Sequence, residues 1–372
     1  MSRLRVCTVT AFVALLAALH PPSAIAAEQP VAAINRGVVE LETSGAAGIS
    51  VRIAEDLANL IDDGTTRRVV PVVGKGSLHN LTDLKYLRGI DMAIVQSDVL
   101  DYAREQRLLP GLEWSLTYIT RLYNEEFHLL AGAAIGNVTE LANKKVNIDL
   151  RGSGTAITAS RLFDLLKIPV TVTNDSPEVA LDKLRKGEIA GLAFVAGKPA
   201  PLFAGLKGDD GLHFLAVPFN QISSSAYVPT RLAAADYPGL IPQGRAVETV
   251  AVGSVLAVAD LRQLPERARN VANFVDVFFT GFQTLSTPGY HPKWRDVNLA
   301  AELPGWHRYP AAEQWLQRNM QIANTPKPDD LRLMFARFID ERRQATGSPA
   351  LPQQDKDLVF QQFQSWQKGQ TQ

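Results

Sequence analysis

Short apolar runs alternate with helix-period stripes along most of this chain, and each run passes through a loop of Gly, Ser, Thr or Gln into the next stripe. That alternation is the grammar of an α/β fold with a largely parallel sheet, because parallel strands need a crossover helix between them. Residues 38–41 read as a strand, after which Ile49, Ile53, Leu57 and Leu60 fall on one helix face. Residues 69–73 read as the next strand, followed by Leu78, Leu81, Leu84 and Leu87 at helical spacing, and residues 92–95 as a third that ends at Gln96-Ser97-Asp98. The pattern resumes after Phe127, with strands expected at 146–150, 170–172 and 192–195. Ligands in open α/β sheets bind beyond the carboxyl ends of the strands, so the loops at 43–50, 74–77 and 96–98 are expected to face one crevice.

The segment 145–166, KVNIDLRGSGTAITASRLFDLL, carries the sharpest chemical signal. It reads as a buried strand, a tight turn Arg151-Gly152-Ser153-Gly154-Thr155, and an amphipathic helix. A helix start collects unpaired N–H groups and the positive end of the helix dipole, which suits it to a small anion. The same residues also make a plain helix start, since Ser and Thr are ordinary N-caps.

The first thirty residues place Arg3 and Arg5 before an apolar run at 6–19, then Ala24-Ile25-Ala26 ahead of a polar stretch. This three-part layout is that of a secretory signal peptide, too short for a bilayer span of about 20 apolar residues. Cleavage is expected near Ala26, with the mature chain starting at Ala27 in the periplasm. The only cysteine, Cys7, lies inside that leader, which removes disulfides, thiolate metal sites and a cysteine nucleophile from the mature chain. Loss of the two leader arginines turns 38 basic against 38 acidic residues into 36 against 38, a balance that does not point to nucleic acid or an anionic membrane as partner.

A chain of 372 residues exceeds what one core usually supports, and two lobes are expected. The boundaries expected are 27–131 with 219–325 for a discontinuous lobe I, 132–218 for lobe II, and 326–372 for a helical C-terminal extension. Residues 127–131 and the stretch after Pro218 are the expected crossings. Residues 247–259 suit a strand, and a helix is expected over 265–285, with Pro265 at its start and Val271, Phe274, Val275, Phe278 and Phe282 on its apolar face. Four prolines, Pro288, Pro292, Pro304 and Pro310, deny residues 286–310 a regular helix. Leu331, Met334, Phe335, Phe338 and Ile339 form one amphipathic stripe in the tail, and Leu358, Phe360, Phe363 and Trp366 a second.

Catalytic signatures are missing from the sequence. Past the leader the histidines stand singly at His79, His128, His213, His291 and His307, without a paired-ligand spacing. Gly152-Ser153-Gly154 is not a hydrolase elbow, Gly74-Lys75-Gly76-Ser77 lacks the spacing of a P-loop, and there is no GxGxxG fingerprint. No catalytic residues, metal site or cofactor are therefore expected.

Several short motifs occur in a fixed order: Gly45-Ala46-Ala47-Gly48, Gly76-Ser77 with Asn80, the run from Ala93 to Asp98 (AIVQSD), Glu126-Phe127-His128-Leu129-Leu130, Gly152-Ser153-Gly154-Thr155 and Tyr237-Pro238-Gly239. In that order they resemble the TAXI group of TRAP transporter solute receptors, over about residues 38–285. The resemblance implies a two-lobed type II periplasmic binding protein fold that captures a small solute of the carboxylate or amino acid class and delivers it to the membrane subunits of an ion-driven TRAP-type transporter. It further implies first-lobe contacts from Thr43, Ser44, Gly45 and Gly48, polar contacts from Gln96 and Ser97, and a second-lobe cradle of Ser153, Gly154 and Thr155. Tyr123, Glu125, Arg151 and Lys198 sit where strands end and are further candidates, the cations for pairing with a carboxylate. Tight-turn geometry explains the glycines equally well, and capping explains Gln96 and Ser97 equally well. Ile49-Ser50 stands where the resembling receptors carry aromatics. Two other functions fit the same residues: an exported α/β enzyme acting on a small carboxylated substrate, and a ligand-sensing receptor for a membrane kinase.

Overall fold

The structure is a computed structural model that describes residues 37–45, 47–222, 224, 226–324, 352, 355, 356 and 360. The expected leader, the cleavage point at Ala26, Ala46 of the first loop and nearly all of the two tail stripes lie outside the described residues. The chain divides into two compact units, one ending at Tyr309 and one beginning at Pro310.

The first unit is built on one mixed sheet. Strand β1 (Val38–Thr43) leads to helix α1 (Ser50–Ile61), β2 (Arg68–Val73) to α2 (Ser77–Tyr86), and β3 (Met92–Gln96) directly to α3 (Ser97–Glu105). A short turn of helix, α4 (Leu112–Ser115), precedes the long strand β4 (Thr117–Gly132). The same order recurs with β5 (Lys145–Asn147), α5 (Gly154–Leu165), β6 (Thr171–Thr173), α6 (Pro177–Arg185) and β7 (Gly191–Ala196). Then come β8 (Leu212–Phe214), β9 (Tyr227–Ala233), β10 (Ala246–Val258) and α7 (Pro265–Gly281).

The strand order is β2-β1-β3-β10-β4-β7-β5-β6, with β8 beside β4 and β9 beside β10. β1 runs parallel to β2 and β3, and β5 runs parallel to β6 and β7. Between these parallel sets lie β4 and β10, paired antiparallel from Thr117 with Val258 to Glu126 with Ala251. Each reaches into both halves: β10 pairs with β3 near its end, and β4 pairs with β7 from Glu126 to Ala131. Two continuous backbone ladders thus join the halves. Residues 127–131, one of the two stretches expected to cross between lobes, lie in the last third of β4, a strand of 16 residues.

Each half has a buried apolar cluster, the first also taking in Ile157 of α5. Leu81, Val95, Val99, Leu100, Tyr118 and Val255 cluster in the first, and Phe127, Leu129, Val146, Leu162, Phe163 and Val195 in the second. At about 1.5–3 kcal/mol for each fully buried large aliphatic or aromatic side chain, these clusters rather than helix propensity hold the helices to the sheet. Leu81 and Leu84 of the expected α2 stripe are buried, but Leu87 lies past the helix end and is exposed. The strand expected at 146–150 stops at Asn147: Asp149 takes φ 69° and turns the chain toward α5, leaving Leu150 exposed. The helix expected over 265–285 ends at Gly281 and continues as a 3₁₀ turn, and residues 292–296 form only another 3₁₀ turn, as the prolines require.

The second unit begins with helix α8 (Pro310–Asn324), where proline is well suited to the first turn and Gln317 Nε2 donates to Glu313 Oε1 one turn back.

Candidate functional site

The carboxyl ends of β1, β3 and β7 and the turn after β5 converge on one cavity of about 350 Å³, at the small end of small-molecule sites. From the first half it is lined by the loop after β1 (Ser44, Gly45, Ala47, Gly48), the loop after β2 (Gly74, Lys75, Gly76, Ser77) and Gln96 at the end of β3. Glu125 of β4 forms part of its wall. From the second half come Asp149, Leu150, Ser153, Gly154 and Thr155, the start of α6 at Ser176–Glu178, and Phe194–Ala196 of β7.

Local hydrogen bonds fix these loops. Ser50 Oγ accepts the Ser44 N–H at 3.1 Å and meets Ser44 Oγ at 2.5 Å, clamping the loop between β1 and α1. Asn80 Nδ2 donates to both Thr43 O and Ile94 O at 3.1 Å, so one buried amide ties the ends of β1 and β3 together. The Gln96 N–H donates to Ser77 Oγ at 3.1 Å. In the second half Ser153 Oγ accepts the Ala156 N–H at 3.0 Å, which makes Ser153 the N-cap of α5. Thr155 Oγ1 accepts the Val195 N–H at 3.0 Å and anchors the helix start to β7.

At the rim the halves touch. Gly76 adopts φ 116°, and a Cβ there would stand 2.7 Å from Ser153 Cα; a Cβ on Gly152, at φ 81°, would stand 2.5 Å from His79 Cε1. Only glycine fits a left-handed backbone with another loop so near. The Leu78 N–H donates to Gly152 O across the same seam at 3.3 Å. Gly48 faces Ala196 of β7, 3.9 Å from where its Cβ would lie, and a Cβ on Gly154 would overlap the Gln96 side chain.

Eight of the residues singled out from sequence line the cavity: Ser44, Gly45, Gly48, Gln96, Glu125, Ser153, Gly154 and Thr155. The other five stand outside its lining. Thr43 is fully buried, its hydroxyl within donating distance of Ser44 O at 3.0 Å and of Val72 O at 3.3 Å. Ser97 opens α3 and lies against Gly253 of β10. Tyr123 is buried behind the wall, beside Gly197. Arg151 is exposed and donates to Asn174 Oδ1 at 3.4 Å. Lys198, the cation expected to meet a carboxylate, pairs with Asp236 at 3.0 Å and donates to Arg231 O at 2.6 Å.

The cavity is acidic. Among the described residues, Glu125, Asp149 and Glu178 line it against Lys75 alone as a basic side chain. Glu125 is 6% exposed, and burial raises its carboxyl to about 7, the Gln96 amide and Lys293 holding it down and Glu126 and Asp98 pushing it further up. Burial also raises Asp149. Gln96 Nε2 donates to Glu125 Oε2 at 2.5 Å, which fixes the amide so that Gln96 Oε1, buried, has no hydrogen-bond partner. Sequence reasoning placed Glu125 among the strand-end candidates but had no signal for Asp149 or Glu178, each of which reaches the cavity only because β5 and α6 fold back on it. No group of three or more His, Cys, Asp or Glu residues among the described residues is placed to hold a metal ion.

Residues 41–267 match the NMT1-like family, well over half of the sequence. This chain belongs to the NMT1-like family. The matched segment runs from β1 to the first turn of α7 and so contains every residue lining the cavity. Similar solved structures include the substrate-binding protein of an amino acid ABC transporter, at 13% identity over 66% of this chain and 94% of that one with a TM-score of 0.40. The alkanesulfonate-binding protein SsuA from Xanthomonas axonopodis pv. citri, bound to MOPS, is 13% identical over 76% of this chain and 83% of its own, with a TM-score of 0.41. A TctC solute-binding protein from Polaromonas is 16% identical over 70% and 86%, with a TM-score of 0.40. No helix among the described residues is long and apolar enough to cross a membrane.

Proposed function

We propose that this protein is an extracytoplasmic solute receptor that closes its two halves over a small solute and delivers it to an ion-driven TRAP-type membrane transporter. The observation that carries the reading is the convergence of the β1, β3 and β7 ends and the α5 turn, from two halves bridged by the continuous strands β4 and β10, on a single small cavity. Two backbone ladders acting as a hinge let the halves separate without unfolding either core. Closure is then driven by the better fit of the solute to the shut form.

The lobes of this reading are residues 27–131 with 219–325 and residues 132–218, and export follows from the signal-peptide layout of the first 26 residues. A solute of the carboxylate or amino acid class fits the positive end of α5 and Lys75 at the mouth of the cavity. The TRAP assignment, and with it delivery rather than turnover, rests on the ordered motifs that resemble those of the TAXI receptors.

The test is native mass spectrometry of the mature protein followed by a thermal-shift screen of dicarboxylates, keto acids, amines and amino acids, with small-angle scattering of the hit. One compound is expected to raise the melting temperature, to be recovered unchanged and to make the scattering envelope more compact. Turnover of the hit, or binding without compaction, would sink the proposal.

A further inference from the structure

We infer that the solute carries a protonated nitrogen, an ammonium, amidinium or guanidinium group, seated on the Glu125 carboxylate with Gln96 Oε1 as its second acceptor. This rests on the receptor reading and narrows it. Gln96 is 5% exposed and its Oε1 is an orphan acceptor in the wall of the cavity; Glu125, 6% exposed, is its neighbour through the Nε2 bond. A buried acceptor without a donor is costly, and native interiors rarely leave one so. Among the described residues the chain does not supply the donor: the only basic side chain of theirs lining the cavity is Lys75, which is exposed on the loop between β2 and α2.

Charge points the same way. Asp149 and Glu178 join Glu125 around the cavity, so a nitrogen-free dicarboxylate would enter among three acids and leave Gln96 Oε1 unpaired. A cationic nitrogen, by contrast, has two or three N–H donors, enough to reach the carboxylate and the amide oxygen together. The opposite pole remains free for an anionic or neutral group at the start of α5.

The experiment is calorimetric titration of the mature full-length protein at pH 8 with agmatine, phenethylamine and arginine, against glutarate and adipate, together with the best hit of the broad screen. A compound with a protonatable nitrogen is expected to bind at least tenfold more tightly than either dicarboxylate. Glu125→Gln is expected to lose tenfold or more of that affinity, and Glu178→Gln, at an exposed position, a few fold; melting curves of both variants establish that they fold. A tight ligand without a protonatable nitrogen, or undiminished affinity in a folded Glu125→Gln protein, overturns the inference and leaves the receptor reading standing. If no compound of the broad screen binds, the receptor reading fails and this inference with it.

Discussion

The Thr158 hydroxyl donates to Asp98 Oδ2 at 2.7 Å, tying helix α5 of one half to helix α3 of the other. The same oxygen accepts the Tyr227 hydroxyl from β9 at 3.0 Å. Asp98 is fully buried, and burial raises it to about 6, with the two hydroxyls and Arg161 opposing the shift. Three elements therefore share one desolvated carboxylate beside the cavity. At the exposed end of the same seam Arg161 meets Glu105 at 2.8 Å, a rim pair that contributes little by comparison.

Thr158→Val removes one of the two donors while keeping the side-chain shape. The protein is expected to lose about 1–3 kcal/mol in urea denaturation, the cost of an under-satisfied buried acceptor. Solute-free protein should also become more extended by small-angle scattering, since the lost bond spans the two halves. Unchanged stability and dimensions would remove this contact from the closing mechanism.

Gly76→Ala tests the rim. The new Cβ would meet the Ser153 backbone at 2.7 Å, and φ 116° is strained for any other residue, so a cost of about 1–3 kcal/mol is expected. Because the collision is with the opposite half, solute affinity should fall more than tenfold while each half keeps its circular dichroism. Gly64→Ala, at φ 78° with nothing near its Cβ, is the control for strain alone and should leave affinity unchanged.

His128 and Tyr237 form a buried relay beside β7. Tyr237 Oη and His128 Nε2 lie 2.6 Å apart, the Ala200 N–H donates to the same hydroxyl at 2.7 Å, and Phe194 O lies 3.3 Å from His128 Nδ1. With Nδ1 donating to Phe194 O, the tyrosine hydroxyl donates to Nε2, so the imidazole is neutral; burial lowers its pKa to about 3. A depressed histidine adds stability that is present above its unfolded pKa of about 6.5 and lost as pH falls toward 3, at about 1.4 kcal/mol per unit. An NMR titration should find the ring neutral at pH 4.5, and Tyr237→Phe should cost about 2 kcal/mol or more by orphaning Nε2 and the Ala200 N–H. A ring that titrates near 6.5 would contradict the relay.

Glu125 works in the opposite sense. Its carboxyl is raised from 4.5 to about 7, so the folded state holds the proton more tightly and the carboxyl's contribution to stability falls as pH rises between those values. Gln96, Glu126, Asp98 and Lys293 are the groups acting on it. In Glu125→Gln this decline should vanish, making the variant more stable than the parent by about 1–3 kcal/mol at pH 8 and close to it at pH 4.5, read from paired urea melts. A cationic solute needs the carboxylate ionised, so its affinity should climb from pH 5.5 and level off above about 7.

The alternation of apolar runs and stripes made the fold class legible, and strand-end logic brought Ser44, Gly45, Ala47 and Gly48, the loop Gly74–Ser77 and Gln96 to one cavity, because period and turn chemistry are local properties. The helix start at Ser153 was legible for the same reason: an N-cap is written within four residues. Lys198 was not, since its partner Asp236 is 38 residues further along and nothing in a strand-end position tells which way the side chain turns. The length of β4 also escaped, because Arg121, Asn124, Glu125 and Glu126 interrupt its apolar run, and their burial depends on neighbours such as Gln96 and Lys293 from distant segments.

By itself, then, the sequence determined the α/β alternation, the glycine-bearing loops and the capped turn at Ser153, all of which depend on residues within a turn or two of one another. Only the tertiary structure decided the sign of the cavity's charge and the identity of its unpaired acceptor. Glu125, Asp149, Glu178 and Gln96 come from four separate elements, and burial, which sets both their ionisation and the cost of leaving them unpaired, exists only after the strand order has brought those elements together.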